Sequence, residues 1–178
     1  RNARNGNEFC QTIEKETGIS IEVINGEREA ELIYEGVSQA LDLGSIPSLI
    51  MDIGGGSVEF IIGNASRIFW KQSFLLGAAR LLEIFNPSDP ITENEIKAVT
   101  SYLRTELKPL FEAIRKNPVT ELIGSSGSFD SLAEMIAYRA VSVARLARAG
   151  TLYSRWSPEF NLMYGSPLFN YLAPLPHY

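Results

Sequence analysis

The chain has 178 residues, 45% hydrophobic and 21% charged, with a net charge of −5 and a pI near 5.0. That length fits one domain or two small ones, and the acidic balance argues against a nucleic-acid surface, which needs a basic face. A single cysteine, Cys10, and a single histidine, His177, exclude a disulfide framework and a His/Cys zinc site, and fit a reducing, cytoplasmic compartment. Any chemistry therefore falls to carboxylates, hydroxyls, arginines and backbone groups. No apolar run is long enough to span a bilayer, so no membrane partner is expected, and no apolar core of a signal peptide follows the opening "RNARNGNEF".

Taken in chain order, "NGNEFCQTIEKETG" predicts a helix with Phe9, Ile13 and Cys10 on one face and Gly18 at its stop. "ISIEVI" alternates and is β-branched, which predicts a strand over Ile19 to Ile24. Asn25 then caps a strong helix, "EREAELIYEGVSQAL", in which Ala30, Ile33, Tyr34, Val37 and Leu41 step by three and four. After a break at Gly44 to Pro47 come a buried strand at Leu49 to Met51, a glycine loop, and a second strand through Phe60, Ile61 and Ile62. "GNAS" turns the chain into a third strand over residues 67–75. Three strands with such short connections predict an antiparallel meander. A dinucleotide fold would place a helix directly after the glycines.

A helix starts near Gly77, and a longer one runs from Thr92 to Lys116, with Thr92 and Glu95 spaced as a capping box and a kink or break expected at Pro109. "TELIGSSGSFDSLAEMI" then predicts a short strand, a loop over Gly124, Ser125, Ser126, Gly127 and Ser128, and a further helix. This is a second candidate anion site or an ordinary strand-to-helix turn. From Arg139 onward the character changes. Residues 145–178 hold one acidic side chain but four prolines and seven aromatics, which suggests an arm packed on another surface or a poorly ordered segment.

The stretch "SLIMDIGGGSVEFIIGN" admits two readings. Gly54, Gly55 and Gly56 can make a hairpin turn through positive φ angles, with Asp52 a mere strand end. Alternatively, three residues without Cβ let backbone N–H groups approach a phosphate, Ser57 adds a hydroxyl, and Asp52 offers hard oxygen to Mg²⁺. On the second reading Glu59, two residues past Ser57, shares its face.

"DIGGGSVEFIIG", with "NGEREAELIYEGV" before it and "LLGAARL" and "IGSSGSFDSL" after it, resembles the exopolyphosphatase / guanosine pentaphosphate phosphohydrolase family over residues 1 to about 138. The resemblance implies an α/β, ribonuclease H-like fold of the sugar kinase, actin and heat-shock ATPase superfamily, with a mixed sheet flanked by helices. It divides the chain into the end of a first domain (1–43), a second domain (44–138) and an atypical tail (139–178). The first phosphate loop of the family is missing, so a piece of a longer protein is expected.

By the same resemblance Glu29 is the catalytic base for water, Glu59 a second catalytic carboxylate, and Asp52 a Mg²⁺ ligand. Gly54, Gly55, Gly56 and Ser57 form the phosphate loop. Arg1 and Asn5 reach the cleft from the first domain, and residues 124–128 border the substrate. Gly77 and Arg80 fall in the matching "LGAxRL" segment. The implied reaction is Mg²⁺-dependent hydrolysis of a terminal phosphoanhydride of polyphosphate or guanosine pentaphosphate. Its physical needs are charge neutralisation, positioning and a base for water. The rivals are a non-catalytic phosphate- or partner-binding module and a kinase-like phosphotransferase. Apolar surface on the truncated domain and the tail points to a homodimer. Residues 1–144 carry 13 basic against 20 acidic side chains, which tilts the substrate toward a short or small one.

Overall fold

The computed structural model describes residues 3–132 and 153–156. Its elements are α1 (Gly6–Thr17), α2 (Gly26–Ala40), β1 (Ser48–Ile53), β2 (Val58–Gly63), β3 (Ile68–Phe74), α3 (Ala78–Phe85), α4 (Glu93–Glu106), α5 (Lys108–Lys116), β4 (Leu122–Ser125) and β5 (Tyr153–Trp156). The strands form one mixed sheet in the order β3-β2-β1-β4-β5. β1, β2 and β3 make the expected antiparallel meander, β4 runs parallel to β1, and β5 adds antiparallel to β4. Helices cover both faces, so this is an α/β fold with a mixed sheet, as the ribonuclease H-like resemblance implies.

Side-chain alternation sorts the two faces. Ile50, Ile61 and Ile123, in register across β1, β2 and β4, are fully buried against Ala30 and Val37 of α2, with Ile33, Tyr34 and Leu41 beside them. The alternate residues Leu49, Val58, Phe60, Ile62, Phe74 and Leu122 meet Leu110 and Ala113 of α5, with α3 and α4 packed outside. β2 is buried along its whole length. Burying each such apolar side chain stabilises the fold by about 1.5–3 kcal/mol, so this double-sided centre holds most of the stability.

Local signals behave as their chemistry dictates. The Asn25 side chain accepts from Arg28 N–H and caps α2. Thr92 and Glu95 form a complete capping box at α4, and the break before Pro109 separates α4 from α5. In the β2–β3 turn, Asn64 Oδ1 accepts from Ser66 N–H, Ser66 Oγ and Arg67 N–H, while its Nδ2 donates to Ser45. Tyr34 lies against Gly63 and donates to the Asn64 carbonyl, locking α2 onto this corner.

One expected strand, Ile19 to Ile24, does not form: residues 18–25 are irregular and no described strand pairs with them. Ile19, Ile21 and Val23 are 63%, 37% and 53% exposed. α1 does form, ending on a left-handed Gly18, but none of its residues is buried and Phe9 is exposed. Periodicity specified an apolar helix face and an alternating segment; among the described residues no strand pairs with the segment, and only Cys10, Ile13 and Ile24 of the two are partly covered. Among the described residues no helix is long and apolar enough to cross a membrane.

Candidate functional site

The glycine loop is a hairpin turn, with Gly54 N–H donating to the Ser57 carbonyl at 3.0 Å. Its glycines are not used for positive φ, which occurs only at Gly18 and Gly44 among the described glycines. The need is space. A Cβ on Gly77 would sit 2.4 Å from the Gly55 carbonyl atoms and 2.5 Å from Gly56, so the backbone entering α3 lies directly on the loop. From that position the first N–H groups of α3 bond to it: Ala78 to Gly54 O at 3.0 Å, Ala79 and Arg80 to Gly55 O at 3.0 and 3.2 Å. Donors that commonly bind anions at a helix start are spent on holding the loop.

Register then builds a polar row across the end of the sheet. Asp52 pairs with Glu59 on one side and with Ser125 on the other, and Glu59 pairs with Ser73. All four lie two residues beyond the Ile50–Ile61–Ile123 row or its extension on β3, and so share the face that α2 covers. Glu59 is 2% exposed and its carboxylate accepts from Ser73 Oγ at 2.7 Å. Ser125 is buried. Asp52 is half-buried, and its carboxylate makes no hydrogen bond or ion pair with the described residues.

Above this row the start of α2 faces the loop. Val23, Ile24 and Glu29 on one side and Gly56, Ser57, Leu75 and Arg80 on the other line a cleft of about 470 Å3. Glu29 and Ser57 thus meet in one cavity although 28 residues apart in sequence. Nearby cations are largely committed. Lys71 Nζ contacts the Glu31 carboxylate and the Glu27 carbonyl, and Arg28 bonds Glu31 at 3.0 Å and Glu35 at 3.3 Å. The Lys71 and Arg28 contacts hold the Glu31 carboxyl below its ordinary value.

The second glycine-serine segment is built differently from the first. Gly124 and Ser125 belong to β4, and the helical conformation begins at residue 127. Gly124 leaves room for the Phe129 ring, which a Cβ would meet at 2.0 Å. Ser126, at φ +72, and Ser128 donate through Oγ to the Ile53 carbonyl at 3.3 and 2.9 Å. These hydroxyls brace the end of β1 just below the glycine loop. Asn5 stands exposed before α1 with no side-chain cap bond and does not line the cleft. Arg1 lies outside the described residues, as does the expected helix around Arg145.

Sequence reading missed Ser73 as the partner of Glu59, because the pairing depends on strand register. It assigned no role to Leu75, Val23 and Ile24 as cleft walls. Among the described residues there is no cluster of three or more metal-ligating side chains. The donor set is Asp52 with its neighbour Glu59, which suits a hard cation that takes one or two carboxylates and completes its shell with water and phosphate.

Comparison with known proteins places the chain in a family. Residues 1–149 match the model of the Ppx/GppA phosphatase family. The chain is 46% identical to an exopolyphosphatase from Cytophaga hutchinsonii, with a TM-score of 0.77, covering 82% of this chain and 47% of that one. It is 31% identical to the PPX-GPPA enzyme of Aquifex aeolicus, with a TM-score of 0.64, covering 76% and 44%. It thus spans just under half the length of these solved relatives. On the family match and the shared fold, the chain belongs to the Ppx/GppA phosphatase family.

Proposed function

We propose that the cleft between α2 and the glycine loop binds the terminal phosphates of inorganic polyphosphate or guanosine pentaphosphate and hydrolyses the last phosphoanhydride bond. One observation carries this reading: Glu29 lines a single cleft with Gly56 and Ser57, and Asp52 and Glu59, paired in register, stand on the two strands that the same glycine loop joins. A carboxylate opposite a phosphate loop is where a base for the attacking water must stand.

In this scheme the terminal phosphate lies against the backbone of Gly54 to Ser57. Glu29 accepts a proton from water as the water oxygen bonds to the terminal phosphorus. The bridging oxygen leaves with the electron pair of the broken P–O bond. Asp52 and Glu59 would hold Mg²⁺, which when bound neutralises charge on the phosphate oxygens. Ser73 fixes the Glu59 carboxylate by its 2.7 Å hydrogen bond. Ser126 and Ser128 keep the Ile53 carbonyl, and hence the loop entrance, in place. The acidic surface favours a compact substrate over a long polyanion, which would seek a basic track.

A second reading rests on the span of this chain relative to its relatives. The same cleft can bind phosphate without turnover when the rest of the machinery is supplied by other residues. The test is orthophosphate release from short-chain polyphosphate and from guanosine pentaphosphate, with Mg²⁺ and with excess chelator. Release that needs the metal supports hydrolysis. Phosphate binding without release supports the binding module, and transfer that requires a nucleotide acceptor would point to a phosphotransferase instead.

A further inference from the structure

Arg80 is in the first turn of α3 and lines the cleft opposite Glu29. Its Nε donates to the Gly56 carbonyl at 3.3 Å, which ties the guanidinium to the glycine loop. The remaining guanidinium nitrogens make no hydrogen bond or ion pair with the described residues. The other cations on this side of the sheet are different: Lys71 and Arg28 are engaged by Glu31 and Glu35. The start of α3 cannot fill the role either, because the N–H groups of Ala78, Ala79 and Arg80 already bond to Gly54 and Gly55. Of the residues lining the cleft, Arg80 alone carries a positive charge.

We propose that Arg80 is the anion-orienting residue of the cleft, its free guanidinium nitrogens receiving non-bridging oxygens of a phosphate seated on the glycine loop. The inference rests on the phosphoanhydride reading above and adds the side chain that recognises the phosphate charge. A planar fork held at one nitrogen presents its other donors in a fixed direction, which suits two oxygens of one phosphate. Arg80 is therefore a specificity residue for charge and shape, while Glu29 acts on water.

The test is calorimetric binding of inorganic tripolyphosphate to the full chain and to Arg80→Ala, Arg80→Lys and Arg115→Ala. Arg115 is exposed at the end of α5, on the opposite face of the sheet, and controls for net charge. Arg80→Ala is expected to weaken binding roughly 10- to 100-fold, the range of a charge-assisted hydrogen bond. Arg80→Lys should recover part of it, because the charge returns without the fork, and Arg115→Ala should change it less than about twofold. Equal binding by wild type and Arg80→Ala overturns the inference alone. So does an Arg80→Lys variant as weak as Arg80→Ala, since the loss is then a loop distortion rather than a missing charge. Absence of binding by the wild-type chain removes the phosphoanhydride reading and this inference with it.

Discussion

Two six-residue stretches of this chain look alike and behave in opposite ways. "ISIEVI", residues 19–24, and "VEFIIG", residues 58–63, are both β-branched, apolar and interrupted by one glutamate. The second is β2, buried end to end between two paired strands and two helical layers, and its Glu59 is held by Ser73. The first is irregular, exposed as far as Val23 and unpaired among the described residues, and its Glu22 faces solvent. The contrast shows that alternation encodes a willingness to become a strand. The hydrogen-bonding partner and the opposing layer turn it into one.

The largest expected difference between the two regions is in core truncation. Phe60→Ala should cost about 3–5 kcal/mol of unfolding free energy, whereas Ile21→Ala should change it by no more than about 0.5 kcal/mol. Urea unfolding of the two variants reads both values. A comparable loss at Ile21 would show that residues 18–25 are covered in solution and would dissolve the contrast.

Glycines divide the same way. Gly77→Ala places a methyl against the Gly55 and Gly56 backbone, so we expect a loss of about 1–3 kcal/mol, as for overpacking elsewhere, together with weaker phosphate binding. Gly6, at the start of α1, has open space around its Cβ position. Gly6→Ala should leave stability unchanged or raise it by less than about 1 kcal/mol. Thermal melts and tripolyphosphate titrations of the pair separate the two effects.

Helix starts give a smaller contrast. Thr92→Ala removes a working cap and should cost about 1 kcal/mol. Asn5→Ala should cost almost nothing in stability, because Asn5 makes no cap bond. The same cap carries a pH signature. Hydrogen bonds from Thr92 and Ser88 push the Glu95 carboxyl down to about 2 from its ordinary 4.5. A depressed folded value means its stabilisation is complete above pH 4.5 and fades as pH falls toward about 2. The gap in unfolding midpoint between wild type and Glu95→Gln should therefore be present at pH 6 and shrink progressively below pH 4.5.

How legible the molecule was in its sequence follows from the range of each interaction. Caps at Asn25 and Thr92, the break at Pro109 and the apolar stripe of α2 are local, and they form where the residues predict. The meander was readable because its connections are short. Gly124 was misassigned to a loop because the space it leaves is filled by Phe129, a contact that sequence pattern does not display. The site was only half legible. Asp52, Glu59 and the glycines announce themselves within eight residues, but Ser73 needs strand register and Arg80 needs the three-dimensional course of α3 over the loop. Glu29 was chosen by family resemblance, and the fold brings it to the cleft from another element.

The central claim is that Glu29 serves the chemistry while the loop and Arg80 hold the phosphate. The most direct test compares wild type and Glu29→Gln in orthophosphate release from short-chain polyphosphate with Mg²⁺, alongside tripolyphosphate binding. Loss of a positioned general base should lower release about 10²–10⁴-fold while binding changes less than about threefold, because the amide keeps the size of the carboxyl. Release that survives the substitution at the wild-type rate would contradict the account and move the base to a carboxylate other than Glu29.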